Sequence, residues 1–256
     1  MDFLLAFASV LVGLVIGSFL NVVIDRLPNR QSIVVNPPSH CPACQQRLQV
    51  KDLIPVLSYA WLRGRCRYCQ TRIPIRLLLV ELATGAAFGL LYWYFKLSPE
   101  LAVALYYFCL LLVIAIIDLE RQLILNWLAY PAIVIALGLS IFASPQALAP
   151  AISDAAIGGV IGFGVFLLIA LLSRGGLGWG DVKMAALMGI MLGWRSALVA
   201  FFLAIIAGGL TAIALLATHT RGRKQAIPFG PFLALGAMLA LLWGSTIWGW
   251  YTGLFR

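Results

Sequence analysis

The chain has 256 residues, of which 62% are hydrophobic and 11% charged, with a net charge of +9 and a mean hydropathy of +0.99. A water-soluble domain carries about a quarter charged residues, so this composition excludes an ordinary soluble enzyme and asks for a membrane. The charge is also uneven: nine of the eighteen Lys and Arg lie between Arg26 and Arg76, and clustering of this kind beside apolar spans reports membrane orientation and argues against a nucleic-acid partner.

The first predicted helix is Phe3–Ile24. Asp2 stands where a cleavable signal carries basic residues, and no small-residue cleavage site follows, so the segment reads as a retained span. Residues 25–74 are the one candidate soluble module, and such a short segment buries too little core to stand without a metal staple. Seven more spans follow: Ile75–Phe95, Leu101–Ile117, Trp127–Phe142, Ala155–Leu172, Val182–Leu192, Ser196–Ala217 and Pro231–Trp250. The expected fold is an all-α polytopic membrane protein of about eight transmembrane helices, divided at 1–24, 25–74 and 75–256.

The loops then alternate. Residues 25–74, 118–126, 173–181 and 218–230 share one side and, with flanking Arg76 and Lys183, take 15 of the 18 basic residues. Lys96, Arg195 and Arg256 fall on the other. The excess of Lys and Arg places the first set in the cytoplasm and both termini outside. Val182–Leu192 is the short span, about 17 Å at the helical rise against a hydrocarbon core of roughly 30 Å. Parity still requires a crossing there, or Arg221, Arg223 and Lys224 would fall outside. A helix this short suits a thinned or water-filled part of a bundle, which sets Asp181, at its start, near a polar cavity.

Four of the five cysteines form two C-x-x-C pairs, Cys41-Pro-Ala-Cys44 and Cys66-Arg-Tyr-Cys69, with 21 residues between them. Two such knuckles match a structural, tetrahedral zinc site of the zinc-ribbon kind, closed to catalysis because all four positions are thiolates. Two disulfides or free thiols are the alternatives, and a cytoplasmic setting disfavours disulfides. His40 reads as a neighbour of this site, and Cys109, inside an apolar helix, as packing.

Nine acidic residues are present in the whole chain. Asp118 closes the third span in Ala-Ile-Ile-Asp-Leu-Glu, and Asp181 opens the sixth in Gly176-Leu-Gly178-Trp-Gly180-Asp181-Val-Lys183. Ionisable groups at membrane depth are costly and usually serve function. The topology puts both on one side, where two carboxylates can share a proton and serve as acid and base on water and a scissile carbonyl. The flanking glycines permit close approach of a substrate backbone. Taken singly, Asp181 also reads as an ordinary helix cap and Asp118 as a marker of the water interface.

These motifs together resemble the type IV prepilin peptidases, within the wider GxGD group of membrane aspartyl proteases. The resemblance runs nearly the full length. Gly17-Ser-Phe-Leu-Asn21-Val-Val-Ile-Asp25-Arg26-Leu-Pro28 is similar to the family's first-helix signature, and the two C-x-x-C pairs to its cysteine module. Ile73-Pro74-Ile-Arg76 and Glu81-Leu follow in order. Asp118 and Gly178-Trp-Gly180-Asp181-Val-Lys183 match the catalytic motifs, and Ile227-Pro-Phe-Gly-Pro-Phe232 the last-loop motif. One position departs: Leu125 stands where the family often has proline, which alters how the next helix begins without removing an acid or a base.

The resemblance implies cleavage of short basic leaders from type IV prepilins or type II secretion pseudopilins at the cytoplasmic face of a bacterial inner membrane, with Asp118 and Asp181 catalytic. It implies N-methylation of the new terminus from S-adenosylmethionine. Polar residues at the cytoplasmic ends of the first two helices, Asn21, Arg26, Arg76 and Glu81, are the expected cofactor site. Glu81 would hold a ribose or an amine, or else pair with Arg76. Gly178, Gly180 and Lys183 are expected on the substrate side, although Lys183 also suits a role in tuning Asp181 or in snorkelling to the interface. Gly158-Gly-Val-Ile-Gly162-Phe-Gly164 reads as helix packing, since it lies inside an apolar span with no strand before it. Two other readings stay open: a GxGD protease of other membrane segments without methylation, and a non-enzymatic zinc-ribbon scaffold.

Overall fold

The structure is a computed structural model that describes residues 1–33, 39–142, 148–173, 177–218 and 228–254. Gly176, Ile227, Arg221, Arg223, Lys224 and Arg256 lie outside the described residues. Eight α-helices are present among those described: α1 Asp2–Arg26, α2 Leu57–Trp61, α3 Ile75–Phe95, α4 Pro99–Arg121, α5 Asn126–Ile141, α6 Ile152–Leu172, α7 Trp179–Ala217 and α8 Gly230–Gly253. Six of them are long and apolar enough to cross a membrane, and α5, at 16 residues, is a shorter apolar helix. Helices are what lipid demands, because a backbone in hydrocarbon must satisfy its own polar groups. The chain divides into two compact units, Met1–Leu105 and Tyr106–Arg256.

In the first unit α1 lies against α3 along two matching small-residue stripes. Gly13 and Gly17 of α1 face Phe88, Thr84 and Glu81; Gly85 and Gly89 of α3 face Leu14 and Val10. A Cβ on Gly17 would come within 2.8 Å of Glu81 Cα, and one on Gly89 within 2.7 Å of Val10 Cγ2. Lipid tails are as apolar as leucine, so helices in a bilayer associate by close backbone approach of this sort.

The second unit repeats the device. Gly158 of α6 meets Gly189 of α7, and Gly162 meets Ala185. The glycine-rich run of α6 is therefore a packing face. On its other side α7 receives Gly236 of α8 at Ala200 and Gly244 at Ser196.

The eight spans expected from sequence map onto α1, α3, α4, α5, α6, the two halves of α7, and α8. The sixth and seventh form one element broken at Gly193, which has φ 71° and ψ 162°, a backbone region confined in practice to glycine. The break is held from outside. The Trp194 indole N–H donates to Asp154 Oδ1 at 3.2 Å, and Arg195 lies 3.6 Å from Asp154 Oδ2. Pro150 packs where a side chain at 193 would go, 3.0 Å from its Cβ. Gly193→Ala is expected to destabilise the protein by about 1–3 kcal/mol, read as a lowered Tm in detergent; an unchanged Tm would mean that the two halves are free to straighten.

Candidate functional site

The second unit brings two buried carboxylates together. Asp118 sits three residues before the end of α4 and is 6% exposed; Asp181 is the third residue of α7 and is 8% exposed. They are close enough for the charge of one to act on the other. Each also takes one backbone amide. Gly230 N–H, the first of α8, donates to Asp118 Oδ2 at 3.0 Å. Gly178 N–H, at the N-cap of α7, donates to Asp181 Oδ2 at 3.2 Å. Asp181 is thus a helix-start residue, as the cap reading had it, but its other oxygen is left for different work. Asp118 is no surface marker, being almost wholly buried.

Three contacts fix this arrangement. Ile124, in the turn after α4, fills the space beside Gly180: a Cβ there would meet Ile124 Cβ at 3.0 Å. Lys183 Nζ donates to Asn126 Oδ1 at 2.7 Å, with the Tyr130 ring 5.8 Å away. Gly230 is the third, since a Cβ on it would stand 2.6 Å from Asp118 Oδ2. The turn at 122–125, the start of α7 and the start of α8 therefore close on one another. Sequence reasoning singled out Gly178, Gly180 and Lys183 but missed Gly230 as a neighbour of Asp118. The signal was available, in a glycine set between Phe229 and Pro231 at a helix start.

In the first unit the four cysteine sulfurs all lie within 4.8 Å of one another, the one group of metal-ligating residues found among the described residues. Cys41 and Cys69 Sγ are 3.8 Å apart. Four sulfurs at the zinc–thiolate distance on a tetrahedron stand ~3.8 Å apart, so the donor set fits zinc in both number and spacing. All four thiols are free, Cys109 likewise, and His40 is not among the group.

Each knuckle is made the same way. Gln45 and Gln70, with φ of 58° and 60°, turn the chain after the second cysteine, and their amides donate to Cys41 O and Cys66 O. The Cys41 and Cys66 amides donate to Gln46 O and Thr71 O. The sequence carries this duplication as Cys-x-x-Cys-Gln-x-Arg, once ending at Arg47 and once at Arg72. Thr71, by hydroxyl and amide, pulls the Cys69 thiol down to about 6. Cys44 is pushed up to about 11: the Gln46 amide lowers it, but desolvation and the Cys69 and Cys41 sulfurs outweigh that. Asp52 ties the turn between the knuckles to the second one, accepting Arg67 Nε–H at 2.6 Å and the Gln49 amide at 3.1 Å. Burial raises its carboxyl, yet these partners hold it below the usual range.

The four residues expected to serve a cofactor gather where α1 ends and α3 begins. Asn21 Nδ2 donates to Leu77 O at 3.0 Å; Arg76 Nη2 pairs with Asp25 Oδ1 at 2.7 Å; Arg26 Nη1 donates to Ser32 O at 3.4 Å. Glu81 Oε2 accepts the Val56 amide at 2.8 Å. Val56 has φ 62°, unusual for a β-branched residue, and this bond helps hold it there. Asn21 Oδ1 is buried with no hydrogen-bond partner among the described residues.

Comparison with known proteins agrees in both units. The Bacterial Peptidase A24 N-terminal domain matches residues 11–95, and the Type IV leader peptidase family matches residues 105–213. A prepilin leader peptidase/N-methyltransferase of Bacillus subtilis is 33% identical over 93% of this chain and 94% of its own. Proteins of the same name from Pseudomonas aeruginosa and Burkholderia pseudomallei are 33% identical over 93% of this chain and 90% of theirs, and 36% identical over 94% and 86%. No solved structure matches. With a family match in each unit and relatives 33–36% identical over more than nine-tenths of its length, the chain belongs to the type IV leader peptidase family.

Proposed function

We propose that this protein removes the leader of type IV prepilins or pseudopilins with Asp118 and Asp181 and then N-methylates the new terminus. The observation that carries the reading is a pair of buried carboxylates in one unit, at the end of α4 and the start of α7, near enough for the charge of one to act on the other. Two such groups do not both ionise, and one proton is shared between them. The ionised member takes a proton from water as its oxygen attacks the scissile carbonyl. The protonated member gives its proton to the carbonyl oxygen, and the C–N bond then breaks with a proton passed to the leaving amine. Gly178, Gly180 and Lys183 flank Asp181 on the substrate side. Gly230 positions Asp118 through its amide. The excess of Lys and Arg in one set of loops supports a reading in which cleavage takes place at the cytoplasmic face of a bacterial inner membrane.

For methyl transfer the chain offers Asn21, Arg26, Arg76 and Glu81. The fit rests on Asn21 Oδ1, a buried acceptor without a partner among the described residues, suited to a donor on S-adenosylmethionine. When bound, that cofactor supplies an electrophilic methyl group on a sulfonium. The chain's part is to hold the new amine uncharged beside it, a modest demand for a group whose ordinary pKa is about 7.7–8.0. Zinc, held by Cys41, Cys44, Cys66 and Cys69, is structural.

The test is purified protein with a prepilin carrying a Gly-Phe junction, with and without S-adenosylmethionine, read by intact mass. The expected products are the mature chain without cofactor and the same chain heavier by one CH2 with it. Cleavage without the added mass would remove the second activity, and no cleavage would remove the substrate. Gly230→Ala sharpens the first half. A Cβ set 2.6 Å from Asp118 Oδ2 displaces the carboxylate, and misplacement of about 1 Å costs on the order of 100-fold. That loss is expected in kcat with substrate binding retained.

A further inference from the structure

Residues 50–61 carry an apolar surface that none of the chemistry above uses. Val50 is 84% exposed, Leu57 66% and Trp61 85%, with Leu53 and Ile54 also exposed. Leu57 and Trp61 are four apart in α2 and share one face. Surrounded by water, a set of this kind is an association hazard.

Its depth is fixed by one hydrogen bond. Val56, the residue before α2, donates to Glu81, and Glu81 lies six residues beyond Ile75, the first residue of α3. That is roughly 9 Å along the helix axis. Hence α2 begins alongside the spanning helix α3, not out beyond its end. The end of α1 stands at the same level, through Asn21 on Leu77 and Asp25 on Arg76.

The charge around the set has one sign. Arg47, Lys51, Arg63, Arg65 and Arg72 are exposed. The single acid of residues 39–74 is Asp52, whose side chain is 2% exposed and paired with Arg67. A protein-binding face has no need of this depth or of this charge. A short apolar element with a tryptophan, level with the ends of two spans and ringed by cations, has the make-up of one that lies in an anionic bilayer surface.

We propose that residues 50–61 lie in the headgroup layer of the membrane, with Val50, Leu53, Ile54, Leu57 and Trp61 at the acyl boundary and Lys51, Arg63 and Arg65 on anionic headgroups. The knuckles are then held flat on the bilayer by lipid as well as by Glu81, and their placement follows lipid charge.

The test uses the intact chain in phosphatidylcholine nanodiscs with and without phosphatidylglycerol. Trp61 is isolated as the fluorescence difference between wild type and Trp61→Phe, a substitution gentle enough to leave the fold in place. Quenching by bromine-labelled acyl chains is compared with quenching by aqueous iodide. The expected result is quenching by the brominated lipid, strengthened by phosphatidylglycerol. Replacing Lys51, Arg63 and Arg65 together by Ser should weaken the docking by on the order of a hundredfold, seen as a return of iodide quenching. Iodide quenching alone in both kinds of disc would overturn the proposal. So would protection from iodide that arises only when a prepilin is added, which would make the face a protein dock.

Discussion

Asp118→Asn and Asp181→Asn are each expected to lower the rate of leader cleavage by roughly 10²–10⁴-fold or more while leaving the protein folded. Asparagine keeps the size of the side chain and an oxygen able to accept the amide that each position already receives, from Gly230 and from Gly178. What it removes is the exchangeable proton. Two buried carboxylates also repel when both are charged, so a neutral replacement relieves the site instead of straining it. Thermal stability should therefore be unchanged or slightly raised, a result opposite to that of a purely structural acid. Because the pair acts as a unit, the double variant should be no slower than either single one. If either single variant cleaves at the wild-type rate, that residue is a cap and the proposed mechanism is wrong. If the double variant loses the product of the two single effects, the residues act separately.

The sequence was most legible where one physical demand acted alone. Hydrocarbon length and the exclusion of charge set α1, α3, α4, α6 and α8, and these are the spans that hydropathy delimits. At α7 the two spans expected from parity are one 39-residue helix broken at Gly193. Nothing in the hydropathy marks that glycine. Its role depends on Pro150 and Asp154 arriving from another segment. The cysteine spacing gave the donor set, since four ligands in two knuckles are a local pattern. Partners far apart in sequence were not readable. Glu81 reaching back to Val56 and Gly230 touching Asp118 join residues 25 and 112 positions apart, and neither contact leaves a periodic trace. Asp52 carries no local signal of its role either, since what it binds, Arg67, lies 15 residues further on.

The second large effect concerns the metal. One zinc per chain is expected on metal analysis, and Cys66→Ser, or removal of zinc by a strong chelator, should melt the knuckles while the helices persist. The four sulfurs are grouped tightly enough for tetrahedral ligation. Beyond them, residues 39–74 are held by individual polar contacts, among them the Asp52–Arg67 pair, the Glu81–Val56 bond and the hydrogen bonds of short turns. A structural zinc in so small a module supplies about 10–16 kcal/mol of apparent folding energy, far more than such contacts offer, a net hydrogen bond being worth about 1 kcal/mol. Trypsin reads the outcome directly, because Arg47, Lys51, Arg63, Arg65 and Arg72 all lie in this stretch. They should be resistant with zinc and cut rapidly without it. The two activities should part at the same point. Glu81 loses its Val56 partner when the knuckles melt, which disturbs the α1–α3 junction and with it methyl transfer. The carboxylate pair is tied instead to Gly230 and Gly178, and so keeps its amides. Methylation is therefore expected to fall at least tenfold further than cleavage, a difference of about 1.4 kcal/mol. Equal losses would mean that the module also holds the leader, and trypsin resistance unaltered by chelation would remove zinc from the account altogether.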